Sequence, residues 1–250
     1  MITPRRRAVL LAASLLLTGC GGVAATPEHR PATTAAGTPT TPPGSPAPAI
    51  SVQAAPQRIP GLGTKTRAAV SEDAAQVVVV TGRGRDSPHS TVVLYRRTGA
   101  GWQAGETWPA HNALRGWSDH HMGGDLRSPI GVYGLTDAGG LLRDPGTRLS
   151  YDRGVGFTSP GTGFEGEPLQ GSFDYVIAID YNREPGTSPL DWTRPLGAER
   201  GGGVWLHVDH GGPTHGCVSI AEQHMKELLL ALDPALHPVV VMGDHASLAR

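Results

Sequence analysis

Apolar residues in this chain are gathered into short runs, most of them ended by glycine, proline or a polar pair. "QVVVVTG" (Gln76–Gly82) and "STVVLYRR" (Ser90–Arg97) are β-branched runs, and "TGAG" (Thr98–Gly101) turns the second back into "WQAGETW" (Trp102–Trp108). "FDYVIAIDYN" (Phe173–Asn182) has the unbroken apolar centre of a strand buried on both faces. "GVWLHV" (Gly203–Val208) is another strand, and "HPVVVMG" (His237–Gly243) closes the chain. The pattern predicts a mainly β fold.

One segment follows helical spacing instead. From Ile220 to about Leu232, Ile220, Leu228, Leu229 and Leu232 form an apolar stripe. Ser219 followed by Glu222 fits a capping box, and Asp233-Pro234 fits the end of the helix. This spacing predicts that Cys217 sits just ahead of a helix N-terminus.

Before the strands the pattern is different. Arg5, Arg6 and Arg7 precede the apolar run Ala8–Leu17, which is too short to span a membrane and reads as a secretory signal. Its end, "LTGC" (Leu17–Cys20), matches a bacterial lipobox, in which the cysteine becomes the lipidated first residue. The adjacent arginines suit either the general or the twin-arginine export route. Residues 20–60 are rich in Ala, Pro, Thr and Gly and nearly free of large apolar side chains, so they predict a disordered tether. Roughly 40 such residues span on the order of 35 Å as a coil and up to roughly 130 Å when extended. The organisation expected is therefore a signal peptide over 1–19, a lipidated tether over 20–60 and a folded domain over 61–250, held at the outer face of a membrane.

Charge narrows the function classes. The 250 residues carry a formal net charge of -1, with no cationic block beyond the first residues, so an electrostatic footprint for nucleic acid is missing. Loss of residues 1–19 takes three arginines from 21 cations and none of the 22 acids, leaving 18 against 22 and a mildly acidic mature chain. The sequence holds 2 cysteines. If Cys20 carries lipid, Cys217 has no partner for an internal disulfide, and an unpaired thiol outside the cytoplasm is either buried or used.

Cys217 lies in "HGGPTHGCVS" (His210–Ser219), between glycine turns and histidines. Three readings are open: a buried small apolar residue, a metal ligand or a nucleophile. A nucleophile needs its thiolate, and the usual means are a helix N-terminus and a nearby imidazole. His207, His210 and His215 all lie within ten positions of the thiol. Backbone N–H groups at Gly216 would offer an oxyanion hole. His207, Asp209, His210, His215 and Cys217 are also residue types that bind zinc, although no C-x-x-C or H-E-x-x-H frame is present. "DHHMGGD" (Asp119–Asp125), with His120 and His121, reads as a polar loop. Ser219 is expected as a helix cap and His210 as a solvated loop residue.

"THGCVS" resembles the signature of the YkuD-type L,D-transpeptidases, a [Ser/Thr]-His-Gly-Cys turn with a histidine upstream at the end of a strand. Thr214, His215, Gly216 and Cys217 match directly, and His207 in "WLHV" stands where the general base would be. "DLRSPIGVYGLT" (Asp125–Thr136) is similar to a second family segment, through Ser128, Pro129, Gly131 and Tyr133. The resemblance runs from about Gln76 to Asp244 and implies a YkuD-like β-sandwich with a helix after the cysteine turn. It implies a cell-envelope enzyme, monomeric, acting on peptidoglycan stem peptides without metal or organic cofactor. Cys217 would be the nucleophile, His207 the base and His215 part of the acyl pocket. Thr214 and Gly216 would shape the turn, and a carbonyl near Val208 would hold the base's tautomer. Ten positions separate His207 from Cys217, fewer than is usual in the family, and Ser219 stands where Asn or Arg is common. A trimmed loop would admit water, so an L,D-carboxypeptidase on the same scaffold is the alternative, with a zinc-binding surface lipoprotein behind it.

Overall fold

The computed structural model describes residues 55–250. The expected signal peptide, the lipobox with Cys20 and most of the tether lie outside the described residues. The strands are β1 (Gln76–Gly82), β2 (His89–Thr98), β3 (Gly101–His111), β4 (Trp117–Ser118), β5 (Ser128–Pro129), β6 (Gly131–Gly134), β7 (Asp137–Gly140), β8 (Ser150–Arg153), β9 (Val176–Ala178), β10 (Trp205–Val208), β11 (Val218–Ile220) and β12 (Val239–Asp244). Helices α1 (Thr64–Ala68), α2 (Glu222–Ala231) and α3 (His245–Leu248) are short. The chain is mainly β, and ten of these strands form one sheet in the order β6-β12-β1-β2-β3-β11-β10-β9-β7-β8.

The valine run of β1 shows why this sheet is the core. Successive side chains in a strand point to opposite faces. Val78 and Val80 join the larger apolar cluster with Leu206, Val218, Met225, Leu228 and Leu229. Val77 and Val79 join a smaller one on the other face with Ile59, Leu62, Trp102 and Leu248. β12, parallel to β1, divides in the same way, with Val240 and Met242 on one side and Val241 on the other. Packing reaches back past residue 61: Ile59 is 5% exposed and the Pro56 carbonyl accepts the Trp102 N–H.

Two predicted strands are shorter than their apolar runs. β9 covers only Val176–Ala178 of the run from Phe173 to Asn182, because Tyr181 turns back on the Ile179 carbonyl and Asn182 adopts a left-handed φ of 46°. β10 begins at Trp205 rather than Gly203. Gly203, with a φ of 65°, belongs to the glycine turn ahead of it.

The predicted capping box is not formed. Val218–Ile220 are strand β11, and helix α2 begins at Glu222 behind Ala221, which makes no side-chain cap. Ser219 pairs with His111 and His207 across the sheet, so its hydroxyl is out of reach of the helix end. Met225, Leu228 and Leu229 bury the inner face of α2 in the larger cluster. Leu232 follows the helix and is fully buried. No helix of the described residues is long and apolar enough to cross a membrane.

Candidate active site

β10 and β11 are parallel neighbours, with Leu206 opposite Val218 and His207 opposite Ser219. Their connection, residues 209–217, has no crossover helix, so it must return along the end of the sheet to re-enter beside the start of β10. That return brings Cys217 level with Trp205. The Trp205 N–H points at Cys217 Sγ across 3.4 Å, and Sγ lies 3.6 Å from the Gly203 carbonyl oxygen. The mouth of a helix does not hold the thiol; strand β11 stands between it and α2.

The turn is tied down on both sides. The Cys217 carbonyl accepts a hydrogen bond from Thr214 Oγ1 at 2.7 Å and lies 3.4 Å from Ser128 Oγ. Thr214 is further fixed through its N–H to the Asn112 carbonyl and through its own carbonyl, which accepts the Leu114 N–H. Two sequence motifs separated by more than eighty positions therefore meet at one carbonyl: the "SPIG" segment and the "THGC" turn.

His207 is 3% exposed, and its Nδ1 lies 2.9 Å from the Val208 carbonyl oxygen. A carbonyl can only accept, so Nδ1 carries the proton and Nε2 keeps its lone pair. Phe173 meets the ring edge-on at 5.3 Å between centroids. His207 and Cys217 line the same cavity, of about 120 Å³, together with Ser172, Phe173, His210 and His215. A neighbouring cavity of about 200 Å³ shares Phe173 as a wall and is lined by Trp192, Arg194, Gly203 and Trp205.

The electrostatics differ from the lowered thiol that the sequence suggested. Burial pushes the Cys217 thiol up to about 11, only partly offset by the Trp205 N–H. Burial also pushes His207 down to about 4, against the pull of the Val208 carbonyl. With no helix end and no cation at the sulfur, the resting pair is a neutral thiol and a neutral imidazole. Were this sulfur to act as a nucleophile, its proton would have to leave during the attack, as in general-base catalysis, rather than beforehand as in a standing ion pair.

Other candidate residues take distinct places. His215 is exposed and packs on Phe164 at 4.6 Å between centroids. His210 is not the solvated residue expected: its side chain is 5% exposed, and its Nδ1 lies 3.1 Å from Glu167 Oε1. It stacks on His207 at 5.8 Å with the two rings 11° from parallel. His121 is buried edge-on against Tyr181, whereas His120 is exposed beside Arg200. Asp209 is committed elsewhere, its Oδ1 accepting from Ser219 Oγ at 2.6 Å and lying 2.8 Å from His111 Nδ1. Burial opposes its charge, but the His111 and Ser219 hydrogen bonds win and hold it at about 2. Among the described residues, no three His, Cys, Asp or Glu side chains converge so as to hold a metal ion.

Sequence reasoning missed the segment over the pocket. Ser159, Phe164, Glu167 and Leu169 come from a glycine-rich stretch with neither helical nor strand periodicity. Its one available cue was "GFEGE", which places an aromatic and an acid between two glycines and a second acid just after them.

No family model matches the chain, and no curated protein matches it. Among solved structures, one described as "Structure of Bdellovibrio bacteriovorus Bd1075" aligns with 72% of this chain and 50% of its own, at 16% identity and a TM-score of 0.35. The chain thus spans half the length of that structure.

Proposed function

We propose that this protein is an extracytoplasmic, lipid-anchored L,D-transpeptidase that transfers peptidoglycan stem peptides through a thioester on Cys217. The observation that carries the reading is the shared pocket of Cys217 and His207, in which the Val208 carbonyl fixes the imidazole's tautomer with Nε2 unprotonated. The YkuD-like fold is part of the same reading and rests on the "THGC" and "SPIG" motifs, whose residues meet at the Cys217 carbonyl.

In the first step Cys217 Sγ bonds to the carbonyl carbon of the third stem residue while its proton passes to His207 Nε2. The backbone at Gly216 receives the developing oxyanion. The carbon–nitrogen bond to the terminal D-alanine then breaks, and His207 returns the proton to the departing amine. In the second step an amine of another stem attacks the thioester and the sulfur leaves, giving a 3→3 cross-link. The two cavities that share Phe173 give separate space to the two peptides. No step calls on a metal or an organic cofactor.

Incubation of the purified chain with stem tetrapeptide tests this. Cross-linked dimer, a Cys217-bound acyl mass and loss of both in Cys217→Ala are expected. Tripeptide without dimer would make the enzyme an L,D-carboxypeptidase on the same thioester, and zinc bound with no acyl mass would replace the enzyme by a metal-binding lipoprotein.

A further inference from the structure

We infer that the half-buried His210–Glu167 pair is a second acid–base group of this site, serving the attack on the thioester rather than its formation; this rests on the thioester reading above. His210 lines the same cavity as Cys217 and His207, yet its environment differs from that of its neighbour. His207 is tied to a backbone carbonyl, whereas His210 is tied at Nδ1 to a carboxylate. A carboxylate accepts the Nδ1 proton, leaves Nε2 as the acceptor and stabilises the imidazolium that forms when a proton arrives. A carbonyl orients but carries no countercharge.

Glu167 is built into its position. Its Oε2 accepts the Glu165 N–H at 2.8 Å, and its carbonyl accepts the Gly163 N–H at 2.8 Å. A Cβ at either Gly163 or Gly212 would run into its carboxylate, so the chain has left that volume clear from both sides. A surface acid of no consequence needs neither glycine. The same segment places Phe164 on His215, so the dyad belongs to the roof of the pocket. His207 is a neutral base again once the departing amine has taken its proton, so two imidazoles then face the acceptor, and the one backed by a carboxylate is the better proton acceptor of the two.

In the step assigned to it, His210 Nε2 takes a proton from the acceptor amine as the carbon–nitrogen bond forms. The carbon–sulfur bond breaks and the electron pair goes to Sγ. The proton held on His210 then returns to the sulfur, restoring the thiol. Water as acceptor obeys the same balance and yields the free acid. Glu167 is the positioning residue of the pair, acting only through His210.

The test uses the full chain and stem tetrapeptide, with D-alanine release read for acylation, and dimer or tripeptide formation and the intact-protein mass read for the second step. In His210→Ala the first-turnover burst of D-alanine should persist, while turnover falls by about 100-fold or more and Cys217 accumulates as acyl-enzyme. Added imidazole should restore turnover. Glu167→Gln should show the same accumulation with a loss of at least about 10-fold. A residue that only props up the pocket would slow both steps together and resist imidazole, and that result in either variant overturns the inference while leaving the thioester reading intact. Absence of any Cys217 acyl mass in the unaltered chain overturns the thioester reading and the inference with it. Should His210→Ala fail to fold, Glu167→Gln decides the matter.

Discussion

The backbone N–H of Trp205 points at the sulfur of Cys217, so the strand that carries His207 also holds the Cys217 thiol. Because that N–H is a weak counterweight to burial, the thiol stays protonated at neutral pH. Alkylation of Cys217 by iodoacetamide should therefore rise about tenfold per pH unit from about pH 7 without levelling off before about pH 10. A plateau below pH 8 would mean a resident thiolate.

His207 sets an acid limit on stability. Its value of about 4 in the folded chain lies below the ordinary 6.5, so the unfolded chain binds the proton first as pH falls. Stability is then lost on going from about pH 6.5 towards pH 4, by about 3 kcal/mol at the limit. Thermal unfolding followed across that range should show the loss, and His207→Gln should flatten this part of the profile.

Asp209 works in the same sense over a more acidic range. It is held at about 2 by His111 and Ser219, so its contribution is complete above the ordinary carboxyl range and disappears as pH falls through about 2. Ser219→Ala removes a buried donor to that carboxylate and should cost about 1–3 kcal/mol in urea unfolding at neutral pH. A change near zero would show that the hydroxyl's bond to Asp209 is not worth making.

Gly212 and Gly211 offer a comparison between two kinds of glycine. Gly212→Ala should displace the Glu167 carboxylate at a cost of at most about 1 kcal/mol, because only the far end of a flexible side chain has to move. Gly211→Ala meets open space but must hold a φ of 88°, costing about 1–2 kcal/mol through the backbone alone. Only the first should uncouple His210 from Glu167, visible as a change in the His210 ring resonances.

The anchor is tested separately from the chemistry. Cys20→Ala should release the protein from washed membranes into the soluble fraction. Retention equal to that of the parent chain would remove the lipid from the account.

Much of the sheet was legible because β-branched runs carry their own signal. Gln76–Gly82 appears as β1 without a change of boundary, and the hairpin at Thr98–Gly101 joins β2 to β3. The helix start was misread because Ser219 and Glu222 satisfy a local pattern, whereas pairing of Ser219 with His111 and His207 is a long-range fact that outweighs it. His207, Thr214 and Cys217 could be singled out by type and spacing, and they do line one pocket. Their ionisation could not be, since burial alone sets its direction and burial is not written in a ten-residue stretch. Glu167 and Phe164 were invisible for a related reason: an irregular segment has no period, and only the folded chain shows what it covers.

The carbonyl shared by Thr214 and Ser128 has a bearing on when the Cys217 thiol is covered. Contacts between residues so distant in the chain close late in folding, after the local hairpins, because the intervening loop entropy must first be overcome. Until those last β pairings lock, the Cys217 sulfhydryl is open to water and ionises in its ordinary range; closing the sheet buries it and pushes it up to about 11, so completion of the fold is itself what shields the sulfur from oxidation.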